Sequence, residues 1–232
     1  MKRFYDTVAI TERDGGWQVT LDGRGIKTVK TAEQIVPTRA LAQQLAEEWE
    51  NQGEKLDPSR FPMRDMTDYA LDIVAETQAE IAEKLTAYGD TDTLLYRADP
   101  DEPLYPRQME IWEPIVAAFE AREGVGFTRI SGIIHKPQAE ATLTHLRERL
   151  EAQSPFALAG IEAMASLAAS LIVALTAAEG HQGPLALWEA ANLEEEWQAE
   201  QWGRDEEADE RRAKRQQSFL TAHLFVQAAS ER

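Results

Sequence analysis

Two tryptophans set among acids and amides stand out in Leu193 to Asp205, which reads Leu-Glu-Glu-Glu-Trp-Gln-Ala-Glu-Gln-Trp-Gly-Arg-Asp. In a helix, Glu194, Trp197, Gln198, Gln201 and Trp202 fall at i, i+3, i+4, i+7 and i+8 and share one stripe. Carboxylates and amides give directional hydrogen bonds and indoles give contact area, so such a stripe suits recognition of a macromolecular partner. The same spacing also describes an amphipathic helix whose tryptophans fill a core while its glutamates are solvated. On spacing alone that second reading comes first.

Other residue types offer less. His135, His145, His181 and His223 stand alone, without the His-Glu-x-x-His spacing of a zinc hydrolase. There is no Gly-x-Ser-x-Gly nucleophile turn. Gly23-Arg24-Gly25 and Gly124-Val125-Gly126 lack the third glycine of a dinucleotide turn and the Gly-Lys-Ser/Thr of a phosphate loop. A carboxylate- or metal-dependent hydrolase built on the Glu194 to Glu200 cluster is the competing reading from another class. Helical spacing brings Glu196 and Glu200 together but leaves Glu195 on another face. Met63, Met66, Met109 and Met164 fall in predicted helices, where core packing is the default and a methionine-lined client groove the alternative. Trp17, Trp112 and Trp188 sit on apolar faces and are expected in the core.

A chain of 232 residues suffices for one large or two small domains with a real core. The absence of cysteine removes disulfides, thiolate nucleophiles and cysteine-ligated zinc together, and fits a reducing compartment. With 41 acidic against 24 basic residues the formal charge is -17, which repels phosphate backbones and anionic lipid. Nucleic acid and membrane are therefore not expected as partners. No apolar run follows Met1-Lys2-Arg3 that could form a signal-peptide core, so the protein is expected to stay where it is made. The longest uncharged stretch, Ala163 to Ala178, is shorter than the roughly 18 residues of a spanning helix and is expected as a single buried one.

The first 36 residues have strand texture: Thr7 to Thr11, then Trp17 to Leu21 with Trp17, Val19 and Leu21 alternating against Gln18 and Thr20. Asp22-Gly23 signals a hairpin with Ile26 to Lys30 as returning strand, and Gln34 to Val36 is a possible fourth. Thr38 then reads as the N-cap of a helix carrying Leu41, Leu45 and Trp49 on one face. From Asp57 the pattern is helical. Core-facing stripes are expected at Tyr69, Ile73 and Val74, at Ile81, Leu85 and Tyr88, at Trp112, Ile115, Val116 and Phe119, and at Leu143, Leu146 and Leu150. A last helix begins near Asp205, acidic first and basic after as its dipole favours, with Phe219, Leu220, Leu224 and Phe225 on its inner side. The fold class is α+β: a small antiparallel sheet with a covering helix over residues 1–56, then a larger helical domain over residues 57–232.

An ordered set of short motifs adds a resemblance. It runs from Arg3-Phe4-Tyr5 through Val19-x-Leu21-Asp22-Gly23-Arg24-x-x-Lys27-Thr28, Pro37-Thr38-x-x-Leu41-Ala42 and Glu48-Trp49-x-x-Gln52. It continues with Asp90-Thr91-Asp92, Tyr96-Arg97, Gln108-x-x-x-Trp112-Glu113-Pro114 and Glu196-Trp197-Gln198-x-Glu200-x-Trp202-Gly203. The chain resembles the Atp12 family throughout its length. Val29, where a proline is expected, and Glu113, where an aspartate is usual, depart from the pattern.

The resemblance implies a β-rich N-terminal and a helical C-terminal part, and a chaperone for assembly of the F-type ATP synthase that binds the free alpha subunit before it pairs with beta. It also implies that an acid of the Leu-Glu-Glu-Glu cluster is needed, which by position is Glu194. The partner-binding candidates are Glu194, Glu195, Trp197, Gln198, Glu200 and Trp202. No catalytic residue, metal or cofactor is expected, and the free protein is expected to be a monomer. Eukaryotic members carry a mitochondrial leader, whereas this chain starts almost directly at Arg3-Phe4-Tyr5. The bacterial cytoplasm is therefore the expected location, with the mitochondrial matrix as the alternative if a leader has been removed. An adaptor with another client is the remaining alternative.

Overall fold

The computed structural model describes residues 1–132 and 134–230. The chain forms strands β1 (Val8–Arg13), β2 (Gly16–Leu21), β3 (Arg24–Gly25) and β4 (Ile35–Val36), then helices α1 (Arg39–Glu50), α2 (Pro62–Tyr69) and α3 (Ala75–Asp90). Strand β5 (Tyr96–Arg97), helix α4 (Leu104–Glu123) and strand β6 (Ile130–Ser131) follow. The remainder is α5 (Glu140–Glu151), α6 (Pro155–Ala168), α7 (Leu171–Ala178), α8 (Pro184–Ala191), α9 (Leu193–Trp202) and α10 (Glu206–Ser230). The fold is α+β, with a small antiparallel sheet followed by a mostly helical region.

Two compact units emerge. The first takes Met1–Gln78, Gln153–Gly160 and the described residues from Thr221 onward, and the second takes Ala79–Ala152 and Ile161–Leu220. This division differs from a boundary at residue 56, because α1 packs on α2 and two later segments of the chain return to the first unit. Sequence patterning marks where a helix faces a core, but not which core.

In the first unit β2 is central. It pairs antiparallel with β1, in the register Val8↔Leu21 to Arg13↔Gly16, and with β3 and β4 on its other edge. Asp22 and Gly23 both take positive φ, 49° and 76°, as a two-residue hairpin turn requires, and Leu21 pairs with Arg24 across it. The returning strand ends at Gly25 rather than running from Ile26 to Lys30. Thr28 to Thr31 instead form a turn, with Thr31 at φ 71°, that is tied down by side chains. Thr28 Oγ1 donates to Asp72 at 2.7 Å, the Lys30 amide to Asp72 at 2.9 Å, and Gln34 Nε2 to Asp68 at 2.5 Å.

Because β2 is covered on both faces, Gln18 and Thr20 are buried along with Val19 and Leu21. Their polar atoms are satisfied: Gln18 Nε2 donates to the Ile26 carbonyl at 3.0 Å, and Thr20 Oγ1 to that of Ala9 at 3.3 Å. Thr38 caps α1 by accepting from the Leu41 amide at 3.0 Å, and Leu41, Leu45 and Trp49 are all buried. A π-helical turn over Ala70–Val74 joins α2 to α3 and rotates the apolar stripe. Asp72 is thereby turned inward, and Ile73, expected inside, is 37% exposed.

In the second unit Trp112, Ile115, Val116 and Phe119 of α4 are buried as expected, and Trp188 of α8 packs against Phe219 of α10 with ring centres 5.5 Å apart. The expected single helix over Ala163 to Ala178 is two. Ala169 takes φ 48° and breaks it, and Ser170 caps α7 through the Val173 amide at 3.0 Å. The polar groups released at the break find partners in the Asp90-Thr91-Asp92 motif and its neighbour. Asp92, fully buried, accepts from the Ile172 and Leu94 amides at 2.9 and 3.0 Å, and Thr93 donates to the Ala169 carbonyl. Uncharged composition read as continuity, whereas small residues also permit a break that side chains can seal. On α10, Phe219 and Phe225 are buried, but Leu224 faces solvent. Among the described residues no helix is long and apolar enough to cross a membrane.

Candidate interaction site on α9

Helix α9 starts abruptly after α8. Asn192 turns its side chain back to the Trp188 carbonyl at 2.8 Å, closing α8, so the start of α9 has no side-chain cap. Glu194, Glu195 and Glu196 in the first turn complement the positive end of the helix dipole. The helix ends at Gly203, whose φ of 94° suits glycine alone, and Asp205 opens α10 by accepting from the Ala208 amide at 2.8 Å.

The acids of α9 differ sharply in environment. Glu194 is half-buried and accepts from Gln108 Nε2 of α4 at 2.7 Å. Gln108 is 0% exposed and in turn accepts the Ala98 amide at 2.8 Å, so its orientation is fixed from both ends. Burial raises the Glu194 carboxyl above its ordinary range, while the Gln108 hydrogen bond pulls the other way. Glu196 is gripped by Arg212 and Arg204, which hold its carboxyl low. Glu200 forms a bidentate pair with Arg107, at 2.5 and 3.0 Å, and is likewise held low. Among the described residues Glu195 makes one loose ion-pair contact, with Arg215 at 3.4 Å.

The stripe is therefore graded along its length. Trp197 is half-covered, with the Arg107 guanidinium 5.6 Å over its ring. Gln198 and Gln201 are exposed, and Trp202 is 80% exposed at the helix end. The helix buries only Leu193, so Trp197 and Trp202 are not core residues. Glu196 and Glu200, neighbours by spacing, are drawn to different arginines, and among the described residues no group of three or more histidines, aspartates or glutamates is placed to hold a metal ion. What α9 offers is a half-buried carboxyl at one end, an open indole at the other and ion pairs fixing the helix between them.

The residues that position this surface were only partly legible. Gln108 and Trp112 belong to one motif and act one turn apart on α4: Trp112 Nε1 donates to the Ala190 carbonyl at 2.7 Å, holding α8, while Gln108 holds Glu194. Arg107, Arg204, Arg212 and Arg215 carry no spacing signal, since their acids lie on other elements. The Glu113 departure is also accommodated. Glu113 pairs with Arg97 at 2.7 Å and Arg129 at 2.8 Å, and although burial acts to raise its carboxyl, the two arginines together hold it low.

A model of the ATP12 chaperone protein family matches residues 2–120, just over half of the chain. The chain belongs to the ATP12 chaperone family. Likeness to other ATP12 proteins extends well beyond the matched region. The crystal structure of Atp12 from Paracoccus denitrificans superposes with a TM-score of 0.94 at 33% identity, covering 98% of each chain. A chaperone candidate from Agrobacterium tumefaciens superposes with a TM-score of 0.91 at 35% identity, covering 97% of this chain and 84% of that one. Mitochondrial atp12 of Schizosaccharomyces pombe is 28% identical over 221 residues, covering 90% of this chain and 76% of that protein.

Proposed function

We propose that this protein is an ATP-independent chaperone that binds the free alpha subunit of the F-type ATP synthase catalytic head and shields its beta-facing surface until beta arrives. Membership of the ATP12 chaperone family carries this reading. A surface destined for burial between subunits is an aggregation hazard while its partner is absent, so holding it is useful work without any chemical step. The sequence has no phosphate loop to couple release to ATP, and displacement by a tighter-binding subunit needs none.

Within this reading, α9 contacts the client. Trp202 supplies accessible apolar area, and Glu194, Glu195 and Gln198 supply charge and hydrogen-bonding capacity that set register. Glu200 and Trp197 act less directly, since Arg107 engages both. Glu194 is the most consequential acid, because a carboxyl fixed by a buried glutamine is preorganised for one geometry.

Capture of purified alpha subunit by the wild type, Glu194→Gln and Glu194→Lys, with a melting curve for each, tests this. Glu194→Gln keeps an acceptor for Gln108 and removes the charge. Weakened capture at unchanged melting temperature is the expected result, and equal capture by all three removes Glu194 from the contact.

A further inference from the structure

The first unit carries a groove of about 800 Å³. One wall is a run of aromatic rings. Phe4 meets Tyr5 edge-on at 5.4 Å, Tyr5 meets Trp49 edge-on at 5.5 Å, and Trp49 lies 4.5 Å from Phe61. The run is graded in exposure: Trp49 and Phe61 are buried, while Phe4 is 61% exposed. An aromatic held open at the end of a buried stack is an apolar contact still to be made.

The polar groups of the groove are mismatched in one direction. Two of its acceptors are already used: the Asp22 carboxylate takes the Asp6 and Thr7 amides and the Thr7 hydroxyl, and the Trp49 carbonyl takes the Tyr5 hydroxyl at 2.5 Å. Its donors are not. Trp49 Nε1 and Arg64 Nε are buried with no acceptor among the described residues. The Arg64 guanidinium lies 5.7 Å over Trp49 and 5.5 Å over Phe61, at the junction of the apolar wall and the polar rim. Arg24 and Lys27, both exposed on the rim, form no ion pair among the described residues. Arg64 is paired with Asp68 at 3.7 Å and Asp22 also lines the groove, so in a chain of formal charge -17 the open positive charge of the rim rests on Arg24 and Lys27.

We infer that this groove is a second docking site, which holds a peptide segment of a client in which a large apolar side chain stands beside a carboxylate. The apolar side chain extends the Phe4 to Phe61 aromatic run, and the carboxylate meets Arg24 and Lys27 on the rim. Charge complementarity selects the acid, since a basic segment would face the Arg24 and Lys27 cations and leave the free donors unmatched. The choice of a peptide over another apolar carboxylate rests on the chaperone reading; the chemistry of the groove does not.

The test uses the full chain and short, terminally blocked, fluorescein-labelled peptides of glycine and serine around a Phe-Glu pair. Matched peptides replace Phe by Ala, or Glu by Gln or Lys, and laurate serves as a competing non-peptide carboxylate. Anisotropy titration should show saturable binding of the Phe-Glu peptide, at least about tenfold weaker for the Ala and Lys peptides. The protein variant Arg24→Glu/Lys27→Glu should lose at least about tenfold in affinity while its melting temperature stays unchanged, since both side chains are exposed. Equal binding of the Lys peptide, equal binding by the double variant, or binding of laurate with no binding of any peptide overturns the inference. No alpha subunit enters this measurement, so its failure and failure of the alpha-subunit reading are separable.

Discussion

Removing the Gln108 side chain is the perturbation from which most follows. Gln108 is fully enclosed and makes two hydrogen bonds, one from the Ala98 amide at 2.8 Å and one to Glu194 at 2.7 Å. Gln108→Ala orphans a part-buried backbone amide, costing about 1–3 kcal/mol, and forfeits packing of the deleted atoms. A total loss of about 2–4 kcal/mol is expected. Glu194→Gln breaks the same contact in charge only. Because burial raises the Glu194 carboxyl, its favourable share of stability is complete below the unfolded carboxylate range and is lost as pH rises through the raised folded value. At neutral pH the neutral isostere should therefore match or slightly exceed the wild type, within about 0.5 kcal/mol. Urea unfolding of the wild type and both variants at pH 7, followed by far-ultraviolet circular dichroism, measures this. A loss above about 1 kcal/mol for Glu194→Gln, or below about 0.5 kcal/mol for Gln108→Ala, refutes the picture of a glutamine that supports and a glutamate that is spare for binding.

Two further outcomes are expected. Burial pushes the Asp92 carboxyl up to about 6, so its contribution is full below the unfolded value of about 3.9 and is lost as pH rises through about 6, an effect of at most about 3 kcal/mol. Asp92→Asn presents an amide donor to a backbone donor and should be less stable at pH 5, with the deficit narrowing by pH 8; a constant deficit in urea unfolding contradicts this. A Cβ at Gly160 would stand 2.3 Å from Val226 Cγ2 and 3.2 Å from the Ala222 carbonyl, so Gly160→Ala should destabilise by about 1–2 kcal/mol despite its better helix propensity, and a raised melting temperature would contradict the close approach.

Local chemistry was legible in the sequence where a residue acts on its near neighbours. Thr38 caps α1, Asp22-Gly23 turns the hairpin, and the faces of α1 and α4 are the ones their spacing indicates. What escaped depends on distant partners. The break at Ala169 is tolerable because Asp92 and Thr93 seal it, and Ile73 faces outward because a π turn resets the helix register. At the candidate site the acids and indoles of α9 were visible, but their fates were not. Arg107 lies 93 residues from Glu200, and that pair decides that Glu200 is occupied while Glu194 keeps a carboxyl held by a neutral amide. Trp202, the last residue of α9 before Gly203, is 80% exposed, which its spacing did not indicate.

Purified alpha subunit is mixed with this protein in nucleotide-free buffer, resolved by size-exclusion chromatography with light scattering, and then challenged with purified beta. A nucleotide-independent complex from which beta displaces the chaperone is the predicted result. No complex, a complex that forms only with ATP, or one that beta leaves intact contradicts it.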